Sequence, residues 1–528
     1  MAYIAPNGNI ILCHNIPLDT TYQHTLRFSS ATNQHNYFTA SSRVKRTFTN
    51  QYYTRLNRGV IRVNELADNL YDCNYLCYQN TSFGNKWFYA FIKSVEYVNN
   101  AVTEIQFEID VIQTWYFDYN LLPCFVERMH STTDAIGDNI VPESVEKGEY
   151  VFNSQGRIDG TDRHAIIVAY VDTQSSVDGQ IYGRIYGGLT LKAFASQDAA
   201  AVNDFIDDFI SRPDAVVSMY MCPEFLITDG PLQPGGTGED LDSTNTLNAP
   251  IVKNDIPAIM TTDTLDGYRP HNKKMYTYPY NYLMLFEPSG KSLNLRYEFF
   301  DNLKPTIEIG GSITLPVSVI ARPKNYKNRT ESIKSETLTS ANYPLCSWNV
   351  DAYNAWVAQS AVPIGLDFAG MATIGAMGLM NPIMGAISMP SIINSVTGVM
   401  KESYQASIAA DQIRGNQQSG NVDFSMGNMG IWFARLSVNE QFAKMIDDYF
   451  DMFGYAQKKV MQPVRKARAI WTYIKTIGCV IDGSVPCEDA NKICKLHDAG
   501  ITYWDVESNP SVVVGNYLLG ASNVPVGS

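Results

Sequence analysis

Between residues 104 and 111 apolar and polar positions alternate strictly. Ile105, Phe107, Ile109 and Val111 are set against Glu104, Gln106, Glu108 and Asp110. A period of two places one set on each face of an extended chain, which predicts a half-buried strand. Just upstream, Trp87–Ile92 is apolar at consecutive positions, so both of its faces need cover. Asn99-Asn100 lies between the two runs and tolerates left-handed backbone angles, which predicts a hairpin. A strand apolar on both faces belongs in a sandwich, a barrel wall or a subunit contact. The first region, 1–150, is therefore predicted to be β.

The texture changes at 151–340, which reads as an inserted mixed α+β and β region. Val202, Phe205, Ile206 and Phe209 recur at helical spacing within 198–210, and Pro213 follows that helix. Strands are predicted over 216–226, 280–286 and 292–299, and a further alternation runs through Ile313, Leu315, Val317 and Val319. Pro231–Gly238 is rich in glycine but lacks the Lys-Ser/Thr pair of a phosphate loop. In the last region, 426–528, strands are predicted over 432–438 and 470–474. An amphipathic helix over 440–455 carries Phe442, Met445, Ile446, Tyr449 and Phe453, and another helix spans 488–496. The fold class expected from all this is mainly β with inserted α+β segments.

One stretch obeys neither period. From Phe368 to Met400 there is no charged residue in 33 positions, and six of the 36 glycines and six of the 18 methionines fall between 361 and 400. Proline interrupts it at 382 and 390. About 20 uninterrupted apolar residues are needed to cross ~30 Å of hydrocarbon, and the first piece is shorter than that. A single-pass helix is not predicted. Ala372 and Ala376 form a small-xxx-small face that lets helices approach closely. Methionine suits a surface that must change its packing partner. Core segments keep a helix or strand period, and an exposed patch of this size exceeds what a soluble surface carries. The region 341–425 is therefore predicted to be an apolar, membrane-active loop with its flanks, stowed until needed. Its lipid-facing residues are Phe368, Met371, Ile374, Met377, Leu379, Met380, Ile383, Met384, Ile387, Met389, Ile392, Ile393, Val396 and Val399.

Composition narrows the function. The 528 residues are 45% hydrophobic and only 18% charged, with a net charge of −13. A nucleic-acid binder carries a basic footprint, although an acidic wall lets a duplex slide past without sticking. The nine cysteines show no metal-ligand spacing and read as buried free thiols of a reducing compartment. The seven histidines have no ligand-like spacing either, so no metal or cofactor is predicted. Asp204, Asp207 and Asp208, and likewise Asp447, Asp448 and Asp451, are expected on solvated or partner-facing helix surfaces. The run Lys458, Lys459, Arg465, Lys466 and Arg468 is expected to be a solvated surface patch, the alternative being contact with a partner or with passing DNA. The first residues have neither the basic nor the apolar part of a signal peptide, so release by lysis is expected.

Three blocks of sequence carry a resemblance. The first holds Asn85–Phe91 and the string Phe107-Glu108-Ile109-Asp110-Val111-Ile112-Gln113-Thr114-Trp115, preceded by Pro17, Tyr22, Thr25, Phe28, Gln34, Tyr37 and Phe38. The second runs from Tyr278-Pro279-Tyr280 to Leu293–Glu298. The third holds Gly454-Tyr455, Pro463, Arg465, Arg468, Tyr473, Cys479, Ile481, Gly483 and Gly500–Trp504. In these the chain resembles the tail knob, or distal tail tube, proteins of small short-tailed phages of Gram-positive bacteria. The third block departs from that family after Trp504, where Asp505 and 23 more residues follow.

The resemblance implies a virion tail protein made and assembled in the host cytoplasm, with tube-forming β domains built jointly from the N- and C-terminal parts. It implies a homohexamer joined to a proximal tail or lower collar protein. Double-stranded DNA would pass through the lumen without specific binding, and the apolar loop would plug the lumen until it leaves to breach the host cell membrane. The alternative class is a tail-associated cell-wall hydrolase, which needs paired carboxyls, a zinc or a Cys/His pair. A pore-forming toxin would share the apolar loop but would carry an export signal.

Overall fold

The computed structural model describes residues 8–51, 59–79, 84–170, 180–181, 184–185, 190–195, 198–208, 216–228, 230–233, 236–241, 250–286, 292–313, 318–324, 326, 339–342 and 430–527. All fourteen residues predicted to face lipid, Phe368 to Val399, lie outside the described residues, as does Cys346. The chain divides into two compact units. One combines Met1–Gly148, Gly267–Met275 and Glu440–Ser528; the other combines Glu149–Asp266 and Tyr276–Asn439.

The first unit is built on two large sheets and a two-stranded one that pairs Tyr119–Leu121 with Ile481–Gly483. The larger is antiparallel, in the order Val44–Gln51, Gly8–His14, Cys73–Gln79, Trp87–Asn99, Val102–Ile109, Val60–Val63. The predicted hairpin is present, with Asn99 opposite Val102 and the Ala101 N–H donating to Asn99 Oδ1 at 2.8 Å. The apolar run at Trp87–Ile92 is also accounted for. Tyr89 and Phe91 enter one core with Ile11, Cys13 and Tyr75, while Ala90 enters another with Ile10, Leu12 and Phe107. Both faces are thus covered within the chain, and this run gives no argument for a neighbouring subunit.

The second sheet of this unit joins the two ends of the sequence. Its order is His24–Leu26, Ile501–Trp504, Trp471–Ile477, Cys124–Met129, Tyr455–Met461, and its first pair is parallel. Trp471 and Trp504 are opposite each other, both fully buried, with ring centroids 5.0 Å apart. Two glycines close its turns. Gly454 has φ +63° and a Cβ there would collide with the Met129–His130 backbone; Gly500 has φ +101° and a Cβ would collide with the Tyr473 hydroxyl. Only glycine fits such sites.

The second unit contains three four-stranded sheets. The first is ordered Tyr150–Arg157, Trp432–Val438, Asn281–Phe286, Ser292–Leu295. The next is Val216–Pro223, His164–Tyr170, Thr190–Ala195, Glu239–Leu241, with the helix Ala199–Asp207 beside it in sequence. The last is Ile251–Lys253, Thr306–Ser312, Ser318–Lys324, Thr339–Asn342. Trp432–Val438 forms as predicted, but in this unit, so the C-terminal contribution to the first unit starts at Glu440 rather than 426. The strand predicted over 292–299 stops at Leu295. Arg296 donates its N–H to Tyr326 Oη at 3.0 Å and lies 4.3 Å from the Tyr278 ring, and Tyr297–Phe299 turns away as a single 3₁₀ turn. The strand over 216–226 likewise ends at Pro223, which has no N–H to continue a ladder.

The chain is thus mostly β with a few helices. Among the described residues no helix is long and apolar enough to cross a membrane.

Candidate functional site

The string Phe107–Trp115 is where the strand Val102–Ile109 becomes the short helix Val111–Trp115, and its side chains tie the first unit together. Asp110 caps that helix, accepting the Gln113 N–H at 3.1 Å and the Tyr75 hydroxyl at 3.0 Å. Its burial pushes the carboxyl up to about 6, against the hydrogen bonds that favour the ionised form. Gln113 donates to Thr25 Oγ1 at 3.0 Å and the Leu26 carbonyl at 2.8 Å, and receives Gln34 Nε2 at 2.8 Å. The Thr114 hydroxyl and the Tyr89 backbone hydrogen-bond each other both ways at 3.0 Å. Trp115 Nε1 donates to Asp489 Oδ2 at 2.9 Å, on the far C-terminal helix Cys487–Ala499. Such saturated polar networks fix one packing; their donors and acceptors are spent on the fold.

The aspartates of the helix Glu440–Phe453 correct the expectation of a solvated face. Asp447 and Asp451 are buried, whereas Met445, predicted to be inward, is exposed. The inward stripe is Ala443, Ile446, Asp447, Phe450 and Asp451. Asp447 accepts the backbone N–H groups of His271 at 2.6 Å and Asn272 at 3.1 Å, and the Tyr268 hydroxyl at 3.0 Å. Asp451 accepts Asn272 Nδ2 at 2.7 Å and lies 3.1 Å from His271 Nδ1. Two carboxylates thus hold the Gly267–Met275 segment, whose backbone otherwise has no sheet to bond to. By contrast, Asp204, Asp207 and Asp208 are exposed, as expected.

The basic run divides. Arg465 lies 4.2 Å from the Tyr119 ring and donates to the carbonyls of Tyr116 at 3.0 Å and Tyr119 at 3.2 Å. Arg468 is buried against Asp134, and Lys466 pairs at 2.8 Å with Asp505, which also receives Arg27 at 3.0 Å. The first residue past the family-like string is therefore an ion-pair centre joining the two chain ends. Of this run, only Lys458 and Lys459 are exposed. His130, His164 and His497 are buried and pushed below the ordinary histidine value, chiefly by desolvation. Among the described residues no group of His, Cys, Asp or Glu is arranged to hold a metal.

The surface offers one feature that the sequence reading missed. In the sheet that joins the chain ends, Phe125 stands between Val460 and Ile477 in register. All three point outward, with 37%, 70% and 57% of their surface exposed. Leu122 and Val480, hydrogen-bonded to each other through their backbones at 2.9 Å, continue the row and are also exposed. Among the described residues the strand Tyr455–Met461 is one edge of that sheet, with its Ala456 N–H taken by Glu143 Oε1 at 2.8 Å. An exposed apolar row at a sheet edge is the mark of an association surface. The alternation was readable only in part, because Cys124-Phe125-Val126 is apolar on both faces.

Comparison with known proteins gives the class: a component of a phage tail. The chain belongs to the family of the tail knob protein gp9 of Bacillus phage phi29, whose C-terminal domain model matches residues 248–521. The N-terminal model of caudoviral major tail proteins matches residues 6–120. The tail knob proteins of Bacillus phages B103 and phi29 are each 25% identical to it, over 98% of this chain and 99% of theirs. The solved tail knob protein gp12 of bacteriophage C1 shares the fold, with a TM-score of 0.65 at 15% identity over 98% of this chain and 99% of that one. The protein is a structural component of the virion tail.

Proposed function

We propose that this chain forms the distal tail tube as a homohexamer attached to a proximal tail or lower collar protein, conducts the genome, and breaches the host membrane with residues 368–400. The observation that carries the reading is the 33-residue uncharged run of a virion tail component. Assembly is supported by the apolar row Val460–Phe125–Ile477 on a sheet edge, since closing a ring removes free edges. Passage of DNA without specific binding is supported by a net charge of −13 per chain, repelling phosphate. No enzymatic step is part of this reading; of the candidate carboxylates, Asp447 and Asp451 are engaged in holding the Gly267–Met275 segment. The test is dye release from liposomes by the full-length protein, once the stowed loop has been released, and by the same chain lacking 368–400 under the same treatment. The reading expects leakage from the first alone; equal leakage, or none from either, overturns it.

A further inference from the structure

The eight cysteines among the described residues are all free thiols, and three of them converge. Pairing of Ile477 with Phe125 and of Ile481 with Leu121 brackets Cys479 against the segment that ends at Cys124. The helix Cys487–Ala499 is fastened over this point by Asp498, which accepts the Cys479 N–H at 3.0 Å and the Thr476 hydroxyl at 2.7 Å. Cys494 is one helical turn before Asp498 and so shares its face. The hold of Asp498 on the Cys479 backbone therefore sets Cys494 beside Cys479. A disulfide joins two such neighbours when their sulfurs close to ~2.05 Å. Cys479 and Cys124 are buried, whereas Cys494 is half-exposed and can be reached from solvent.

A virion component leaves a reducing cytoplasm for an oxidising medium. We propose that Cys494 and Cys479 are a latent disulfide, closed outside the host by exchange with a small-molecule disulfide. The Cys494 thiolate attacks one sulfur of R–S–S–R, forms a mixed disulfide and expels RS⁻. Cys479 then gives up its proton and attacks Cys494 Sγ, expelling the second RS⁻. Two protein thiols are oxidised, and one small disulfide is reduced to two RSH, which take up the two protons. Burial raises both thiols above the ordinary cysteine value, so the exchange is slow at neutral pH and quickens in mild alkali. The bridge would fasten to the C-terminal sheet a helix that already holds the N-terminal part through Asp489–Trp115 and Lys492–Glu108.

The experiment is peptide mapping of the full-length protein after exposure to 2-hydroxyethyl disulfide in mild alkali. Exposed Cys487 is replaced by serine to remove its own mixed disulfide. The expected result is a Cys479–Cys494 crosslinked peptide in most chains, lost in Cys494→Ser. Retention of both free thiols, arrest at the mixed disulfide, or a bridge from Cys124 or between chains overturns the proposal. Mapping the parent chain decides this even if the Cys494 variant fails to fold.

Discussion

If the apolar row is a subunit contact, removing its side chains should dissolve the assembly without unfolding the chain. The perturbation is the triple substitution Phe125→Ser, Val460→Ser and Ile477→Ser. Fully burying a side chain of this size stabilises by about 1.5–3 kcal/mol. With 37%, 70% and 57% of their surfaces exposed, the three leave roughly one and a half side chains still to bury, about 2–5 kcal/mol per contact. That corresponds to a loss of affinity of about 30- to 5,000-fold at each interface. A closed ring repeats the loss at every junction. The part of these side chains already buried in the monomer amounts to roughly 1.4 side chains, so the variant should lose about 2–4 kcal/mol of folding stability and show a lower urea midpoint while keeping its circular dichroism in buffer. Mass photometry at micromolar concentration should show rings for the parent chain and monomers for the variant. Intact rings in the triple variant would refute the assignment of this surface, and a variant that unfolds would show that the row belongs to the core.

Other consequences concern the internal joints and the cargo. Asp110 is pushed up to about 6 by burial, above the ~3.9 of an unfolded aspartate. Its contribution is therefore fully favourable below the unfolded value and is lost as pH rises through the folded value, by about 2 kcal/mol between pH 4 and 7. Asp110→Asn keeps the helix cap and should remove that slope from urea midpoints measured across this range; an unchanged slope refutes the assignment. Asp447→Ala strands buried donors in the Gly267–Met275 segment and should cost about 3–5 kcal/mol, read as a lower urea midpoint, with Asp447→Asn costing less. The isolated assembly should bind duplex DNA weakly at physiological salt; tight, salt-sensitive binding would instead make Lys458 and Lys459 a nucleic-acid site.

Where a local period governs packing, the fold was legible in the sequence. The hairpin about Asn99-Asn100, the strand Trp432–Val438 and the helix from Glu440 all follow from spacing. Long-range partners were not. That Asp447 and Asp451 would turn inward depends on a segment about 175 residues away supplying backbone donors, and no local pattern carries that. The same holds for Arg465 and Arg468, whose neighbours come from Tyr116, Tyr119 and Asp134. The resemblance located the Phe107–Trp115 string as special, while its chemistry turned out to be capping and cross-linking. The predicted lipid-facing residues stand on composition alone, because they lie outside the described residues.

The central claim is that residues 368–400 enter lipid. Nine of them are Phe, Leu, Ile or Val (Phe368, Ile374, Leu379, Ile383, Ile387, Ile392, Ile393, Val396, Val399), favouring insertion by about −3 to −5 kcal/mol per chain. A central charge costs about 2.5–3.5 kcal/mol, so Ile383→Asp cancels most of the drive in every copy. The decisive measurement is genome delivery by phage particles carrying Ile383→Asp, scored beside particle assembly and adsorption. The account predicts particles that assemble and adsorb like the parent but deliver no DNA. Normal infection, or failure already at assembly, would contradict it.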